Sequence, residues 1–300
     1  MAALNSPGRV PSGADESSPQ PLRISYWGAV WRRFASNRLA VLSLGFVVAM
    51  VLAAALADTI APYGYNQIDL DNAYQPPSWR HIAGTDEVGR DIFSRLIFSL
   101  QTALAVAFGA TVISVAIGGL IGAVAGYAGG VVDNVLMRFT DVMYAFPGFL
   151  FSIILVSVLG RGIVTIFIAI AATSWVGFAR LMRAQVLSIK NLEYVESARA
   201  LGATHRYAIR RYVLPNAFGP LIVAIAFMVP GLMMTESALS LLGLGVMPPR
   251  PSWGVLIQVG SLNFRAFPYQ LTWPAATFAL ALLSFTYLGD GLNDAFNPKE

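Results

Sequence analysis

Asn191–Pro215 reads NLEYVESARALGATHRYAIRRYVLP, a charged and polar stretch set between two long apolar segments. Its pattern is helix, break, helix. Val195, Ala198 and Leu201 recur at helical spacing, and Gly202 stands where a helix would end in a left-handed cap. Thr204 is placed to cap a second helix that carries Tyr207, Ala208, Tyr212 and Val213 beside Arg206, Arg210 and Arg211. Pro215 limits how far that helix runs unkinked. Two readings follow: a rigid, basic hairpin presented to a partner outside the bilayer, or a hairpin that merely joins two spans. A DNA-reading helix-turn-helix is disfavoured, because an apolar segment begins within a few residues on either side.

Those flanking segments set the class. Of 300 residues, 56% are apolar and only 12% charged, with mean hydropathy +0.62, whereas soluble domains run near 25% charged. The chain therefore reads as an all-α integral membrane protein. Its formal charge of +4 serves topology better than nucleic-acid binding. Cysteine is absent, which removes disulfides, thiolate zinc sites and cysteine nucleophiles. Seventeen prolines and 27 glycines suit kinked, closely packed membrane helices.

Residues 1–22 are rich in Pro, Ser and Gly without an apolar run, so they read as a disordered tail rather than a signal peptide. In residues 23–38, Trp27, Trp31 and Phe34 fall on one helical face, with Arg32 and Arg33 opposite. That suits a helix lying in the membrane interface, or a cytosolic stub of the first span. About six spans follow, near 39–61, 98–127, 146–159, 163–180, 217–242 and 269–288. Residues 62–97 and 243–268 form polar outer loops, 128–145 a polar break, and 181–216 the loop that contains the hairpin. Gly118, Gly119, Gly122 and Gly126 give the second span a small-residue face for helix packing.

With the N-terminus inside, Arg80, Arg90, Arg95, Arg161, Arg250 and Arg265 fall in outer segments and the other fourteen Lys and Arg fall in inner ones. The excess puts both termini and the hairpin in the cytoplasm.

Catalysis finds little support. The only lysines, Lys190 and Lys299, lie in no Gly-Lys-Ser/Thr context, so the chain has no P-loop. His81 and His205 fall on opposite sides of the membrane and cannot share a metal, and no zincin motif occurs. Ser78, Ser94, Asp86 or Asp91 could be drawn into a triad with His81, as in any loop of this size. No catalytic and no metal-ligating residue is expected, and energy must come from a partner or an ion gradient. A secondary carrier or channel would need a coupling-ion site or rings of polar residues along a pore, and neither is visible.

Glu236 is the most informative intramembrane charge. At bilayer depth a carboxylate costs a few kcal/mol unless it faces other helices or water. Two readings stay open, lining or closing a translocation path together with Ser240, or a structural hydrogen bond between helices.

The 191–215 stretch resembles the EAA loop of ABC-importer permeases in Glu196-Ser197-Ala198, Gly202 and Tyr212-Val213-Leu214-Pro215. Ser197 replaces an alanine of the general pattern, and Tyr212 stands where isoleucine is usual. Further matches run in family order from His81 to the C-terminus. His81-Ile82-Ala83-Gly84-Thr85-Asp86, Gly89-Arg90-Asp91 and Ser94-Arg95 are similar to a segment of the "C"-type permeases of peptide and nickel importers. Ala145-Phe146-Pro147, Glu236-Ser237-Ala238-Leu239-Ser240, Pro251-Ser252-Trp253-Gly254 and Gly289-Asp290-Gly291-Leu292 match as well.

The resemblance implies a type I ABC-importer permease fold and a dipeptide or oligopeptide substrate, with nickel or glutathione as alternatives. It implies three kinds of partner besides lipid: a homologous second permease, two cytoplasmic ATPases that bind ATP and Mg, and an extracytoplasmic substrate-binding protein. No cofactor falls to this chain. Glu196, Ser197, Ala198, Arg199, Gly202, Arg206, Tyr212, Leu214 and Pro215 would form the ATPase-coupling loop in a bacterial cytoplasmic membrane. Thr85 is placed to cap a short outer helix with Asp86 and Glu87 in its first turn. Asp86, Arg90, Asp91 and Arg95 would then rim an outer gate, touch the binding protein, or lie on the membrane surface.

Overall fold

A computed structural model describes residues 26–297, with the backbone alone at residues 205 and 206. The expected tail, 1–22, lies outside the described residues. Twelve helices are named here in chain order. They are α1 (Tyr26–Ser36), α2 (Arg38–Ala55), α3 (Ala57–Ile60), α4 (Ile92–Ala128), α5 (Gly130–Ala145), α6 (Gly148–Leu159), α7 (Ile163–Lys190), α8 (Glu193–Ala200), α9 (His205–Ala208), α10 (Leu214–Leu241), α11 (Trp253–Leu262) and α12 (Tyr269–Phe296). No strand occurs among the described residues, where Thr85 and Asp91 form an isolated bridge.

Five of these helices are long and apolar enough to cross a membrane, and the bent pair α5–α6 makes six if it counts as one span. The pair turns by 76° at Phe146-Pro147. Residues 128–145, expected as a polar break, are instead largely the helix α5. Its charges are answered from α7: Arg183 grips Asp133 through two bonds of 2.6 Å, and Arg180 reaches Asp141 at 2.6 Å. Arg180 also lies over the Tyr144 ring at 3.9 Å. A charged helix is tolerated beside apolar ones when its charges are paired.

Other boundaries shift as well. The first span ends at Ala55, and Leu56 breaks it before α3. α4 begins at Ile92 and runs 37 residues, roughly 55 Å and well beyond the ~30 Å of hydrocarbon. α7 continues to Lys190, and Pro230-Gly231 do not interrupt α10. In α1, Phe34 is buried against Ala40 and Ala295, whereas Trp27 and Trp31 stay exposed, so the three aromatics do not share one environment.

The largest helix–helix interface joins α4 to α7. Gly118, Gly122 and Gly126, one turn apart, make it possible. A β-carbon would stand 2.5, 2.2 and 2.9 Å from the carbonyl oxygens of Trp175, Ala179 and Arg183. At Gly119 a β-carbon would make ordinary van der Waals contact, 3.6 Å, with the Phe178 ring of α7. Lys190 closes the interface by donating to the Gly126 carbonyl at 2.7 Å. The C-terminal ends of α4 and α7 thus lie together at one end of the bundle, with the hairpin. The N-terminal end of α4 lies at the other, where Thr102 donates to the Pro251 carbonyl ahead of α11.

Candidate functional site

At the hairpin end, α8 leaves α7 after a two-residue turn at Asn191-Leu192. Glu193 and Glu196 occupy its first turn, where the helix dipole favours carboxylates. It ends in a Schellman motif: Ala203 N–H donates to the Ala198 carbonyl at 3.0 Å and Gly202 N–H to that of Arg199 at 2.9 Å. Gly202 has φ +93°, a conformation that side chains other than glycine's rarely adopt. The Thr204 hydroxyl accepts from Tyr207 N–H at 3.4 Å and opens α9.

Pro215, which limits an unkinked helix, does not end the second helix of the hairpin. Ile209–Val213 form a wide turn in which Leu214 N–H donates to the Ile209 carbonyl five residues back. This carries α9 directly into α10. Pro215, which has no N–H to offer, falls in the first turn of α10, where none is needed. Beneath the hairpin, Val195, Val213 and Ala217 pack on Met182, Val186 and Ile189 of α7. The hairpin is thereby fixed to the ends of two long helices.

Its outer surface is open. Glu196, Ser197 and Arg199 are exposed, Ala198 and Tyr212 are half-buried, and Leu214 and Pro215 are exposed. Leu201 is 90% exposed at the very tip. Tyr212 meets Tyr194 and Tyr207 edge to face at 5.9 and 6.1 Å. The side chain of Arg206 lies outside the described residues. Glu193, Glu196, Arg199, Arg210 and Arg211 make no ion pair among the described residues.

At the opposite end, residues 62–95 form a compact platform. Asp91, not Thr85, caps the helix that follows, accepting from Ser94 N–H and Oγ at 2.7 Å each. Its other oxygen lies 2.9 Å from His81 Nδ1, and the His81 ring stacks on Tyr63 at 4.9 Å. Thr85 forms a loop tie, accepting from Gln75 N–H at 2.7 Å and donating to the Asn72 carbonyl at 2.6 Å. Asp86 accepts from Val88 and Arg90 N–H at 3.0 and 2.9 Å, from Arg90 Nε at 2.7 Å and from Arg95 Nη1 at 3.2 Å. Asp86, Asp91 and Arg95 are at most 5% exposed. Asp86, Asp91 and Arg95 hold the platform together from within, and Arg90 is half-buried beside them. The α12 residues Tyr269 and Gln270 seat the platform by donating to the Thr85 carbonyl at 3.3 and 3.2 Å.

Glu236 and Ser240 are both fully buried. The carboxylate accepts from Ser240 Oγ at 2.8 Å and Ser237 Oγ at 3.2 Å. Both of these bonds lie within α10, and the packed chain encloses Glu236 and Ser240. Among the described residues no group of His, Asp or Glu is arranged to hold a metal ion. The Asp133–Arg183 and Asp141–Arg180 pairs escaped the sequence reading. The signal available was opposite charge at helical spacing, eight apart on one segment and three apart on the other.

The fold is shared with solved ABC transporter structures. The inward-facing methionine ABC transporter aligns with TM-score 0.57 at 17% identity, over 69% of this chain and 98% of that one. The model of the family described as "Binding-protein-dependent transport system inner membrane component" matches residues 118–300. That of the "N-terminal TM domain of oligopeptide transport permease C" matches residues 25–77. The chain belongs to the binding-protein-dependent transport permeases.

Relatives extend the match over nearly the full length. The oligopeptide transport system permease protein OppC of Bacillus subtilis (strain 168) is 38% identical over 92% of this chain and 90% of its own. The dipeptide transport system permease protein DppC of the same organism is 39% identical over 92% of this chain and 87% of its own. The glutathione transport system permease protein GsiD of Escherichia coli O6:K15:H31 is 39% identical over 91% of this chain and 90% of its own.

Proposed function

We propose that this chain is one of the two permease subunits of an ATP-driven importer of dipeptides or oligopeptides in the bacterial cytoplasmic membrane. A homologous permease supplies the other half of the pathway. Two cytoplasmic ATPases bind ATP and Mg, and an extracytoplasmic binding protein delivers the substrate. Both termini and the hairpin face the cytoplasm, an orientation that the excess of Lys and Arg in those segments favours. The match to the oligopeptide-permease N-terminal model favours peptides over glutathione and nickel.

One observation carries the reading: a hairpin whose exposed charges make no ion pair among the described residues is locked by its buried side onto α7 and α10. Such a body suits a cytoplasmic ATPase groove. When ATP closes the ATPase dimer, the two docked hairpins move as rigid bodies and exchange which side of the pathway is open. The Leu201 tip and the tyrosine cluster supply apolar contact area, and Glu196 and Arg199 supply charges that select the partner.

The test is purification of the tagged chain from native membranes in mild detergent, with partners identified by mass spectrometry. Stoichiometric recovery of a second permease and P-loop ATPases is expected. Recovery of a folded lone protein or homo-oligomer without ATPases would assign it to the secondary carriers and leave the hairpin a connector.

A further inference from the structure

The hairpin end of the bundle holds two cavities that coupling to an ATPase leaves without a role. The first, about 570 Å³, lies between α1 and the base of the hairpin, with Tyr26, Trp27, Arg210, Leu214, Asn216 and Phe218 in its wall. The second, about 330 Å³, lies where α4, α7 and the wide turn meet. Ala123, Val124, Val186, Ile209 and Val213 make its wall almost wholly apolar. Leu214 belongs to both walls. A cation, an amide and two aromatic rings thus stand next to a space suited to hydrocarbon.

The surroundings indicate what sort of molecule fits. Arg210 is exposed and pairs with no acid among the described residues. Tyr26 and Trp27 are 61% and 57% exposed and meet edge to face at 5.7 Å. Aromatic rings of this kind settle at headgroup depth. Residues 26–38 carry Arg32, Arg33 and Arg38, all exposed, and no acid. The acids on the adjoining end of α12, Asp290 and Asp294, line neither cavity. A basic, aromatic helix at a membrane surface attracts anionic headgroups, each cation contributing about fivefold in affinity.

We propose that the two cavities form a binding site for an anionic phospholipid. Its phosphate lies at Arg210, with the Asn216 amide and the Tyr26 hydroxyl as further donors, and one acyl chain passes Leu214 into the apolar cavity. Arg210 and Leu214 belong to the hairpin strand that enters α10, and Tyr26 and Trp27 to α1. A bound lipid therefore joins the base of the hairpin to the N-terminal helix. The site rests on the membrane placement of this end given above, but not on ATPase docking.

The full chain, with whatever subunits accompany it, is reconstituted in nanodiscs of mixed phosphatidylcholine and phosphatidylglycerol and re-extracted in mild detergent. Bound lipid is then counted by native mass spectrometry. The wild type is expected to keep phosphatidylglycerol in preference to phosphatidylcholine. Arg210→Gln should keep about fivefold less, while Arg210→Lys, and Arg250→Gln at the platform end, keep as much as the wild type. Equal retention by Arg210→Gln and wild type overturns the site, as does equal loss in Arg250→Gln, which would reflect net charge alone. Trp27→Ala, which leaves every cation in place, should also lose lipid, and its full retention would overturn the aromatic half of the site. Complete displacement by soluble glycerol phosphate would identify a pocket for free phosphate esters and overturn the lipid assignment. A chain that retains phosphatidylglycerol but brings no ATPase would uphold this site while refuting the importer reading.

Discussion

The hairpin at residues 193–213 and the platform at 62–95 are both charged segments set between apolar helices, and they use their charges in opposite ways. In the platform, Asp86 serves two guanidinium groups and two backbone N–H groups, and Asp91 serves His81 and Ser94, with both carboxylates buried and Arg90 partly so. In the hairpin, Glu196, Arg199, Arg210 and Arg211 reach solvent without a partner among the described residues. Buried, paired charge fixes the shape of one end, and exposed, unpaired charge leaves the other free to be recognised. Substitutions in the two regions should therefore separate stability from coupling.

The largest stability effect belongs to Asp86. Asp86→Ala strands the buried Arg95 guanidinium and leaves the Val88 and Arg90 N–H groups without their acceptor, so thermal unfolding in detergent should reveal a loss of about 3–5 kcal/mol. A melting midpoint at the wild-type value would show that the platform does not depend on this carboxylate. Asp91→Ala removes a helix cap and the partner of His81, and should cost about 1–2 kcal/mol by the same measurement. Gly202→Asp puts a side chain at φ +93° with open space around it, so the strain should stay near 1–2 kcal/mol. Its main effect is expected in function, with peptide uptake and substrate-stimulated ATP hydrolysis in proteoliposomes both lost. Wild-type rates of both would remove the coupling role from the hairpin. Glu196→Lys changes an exposed side chain and should move stability by no more than about 0.5 kcal/mol, yet reduce the ATPase that co-purifies. Undiminished recovery of ATPase would leave Glu196 without a docking role.

How much of each region the sequence discloses follows from the range of the forces involved. The break at Gly202 is local, decided by one glycine and the helix before it, and the sequence places it correctly. The small-residue row at Gly118, Gly122 and Gly126 is likewise periodic within one segment. What is set by distant partners escapes. Asp133, Arg138 and Asp141 make 128–145 look like a break, because Arg183 and Arg180 that pair with two of them lie 50 and 39 residues away. The Asp91 cap is hidden for a related reason, since Thr85 offers a better-looking cap and is diverted to Gln75 and Asn72. Pro215 by itself limits an unkinked helix, and the sequence gives no sign of the widened turn before it that leads on into α10. The motif residues of the platform are conspicuous in sequence, but their burial is a tertiary fact.

The unbroken passage from Ile209 through Leu241 carries one further consequence. Thirty-three helical residues measure roughly 50 Å, with the hairpin at one extremity and Glu236 near the other. Geometrically this is a lever arm whose two ends emerge from opposite faces of the hydrocarbon layer. A tilt of about 5° about its hairpin end would sweep the far end through roughly 4 Å over that length, comparable to the radius of a small side chain. Pro220 and Pro230 interrupt its internal hydrogen bonds and mark where the arm can flex.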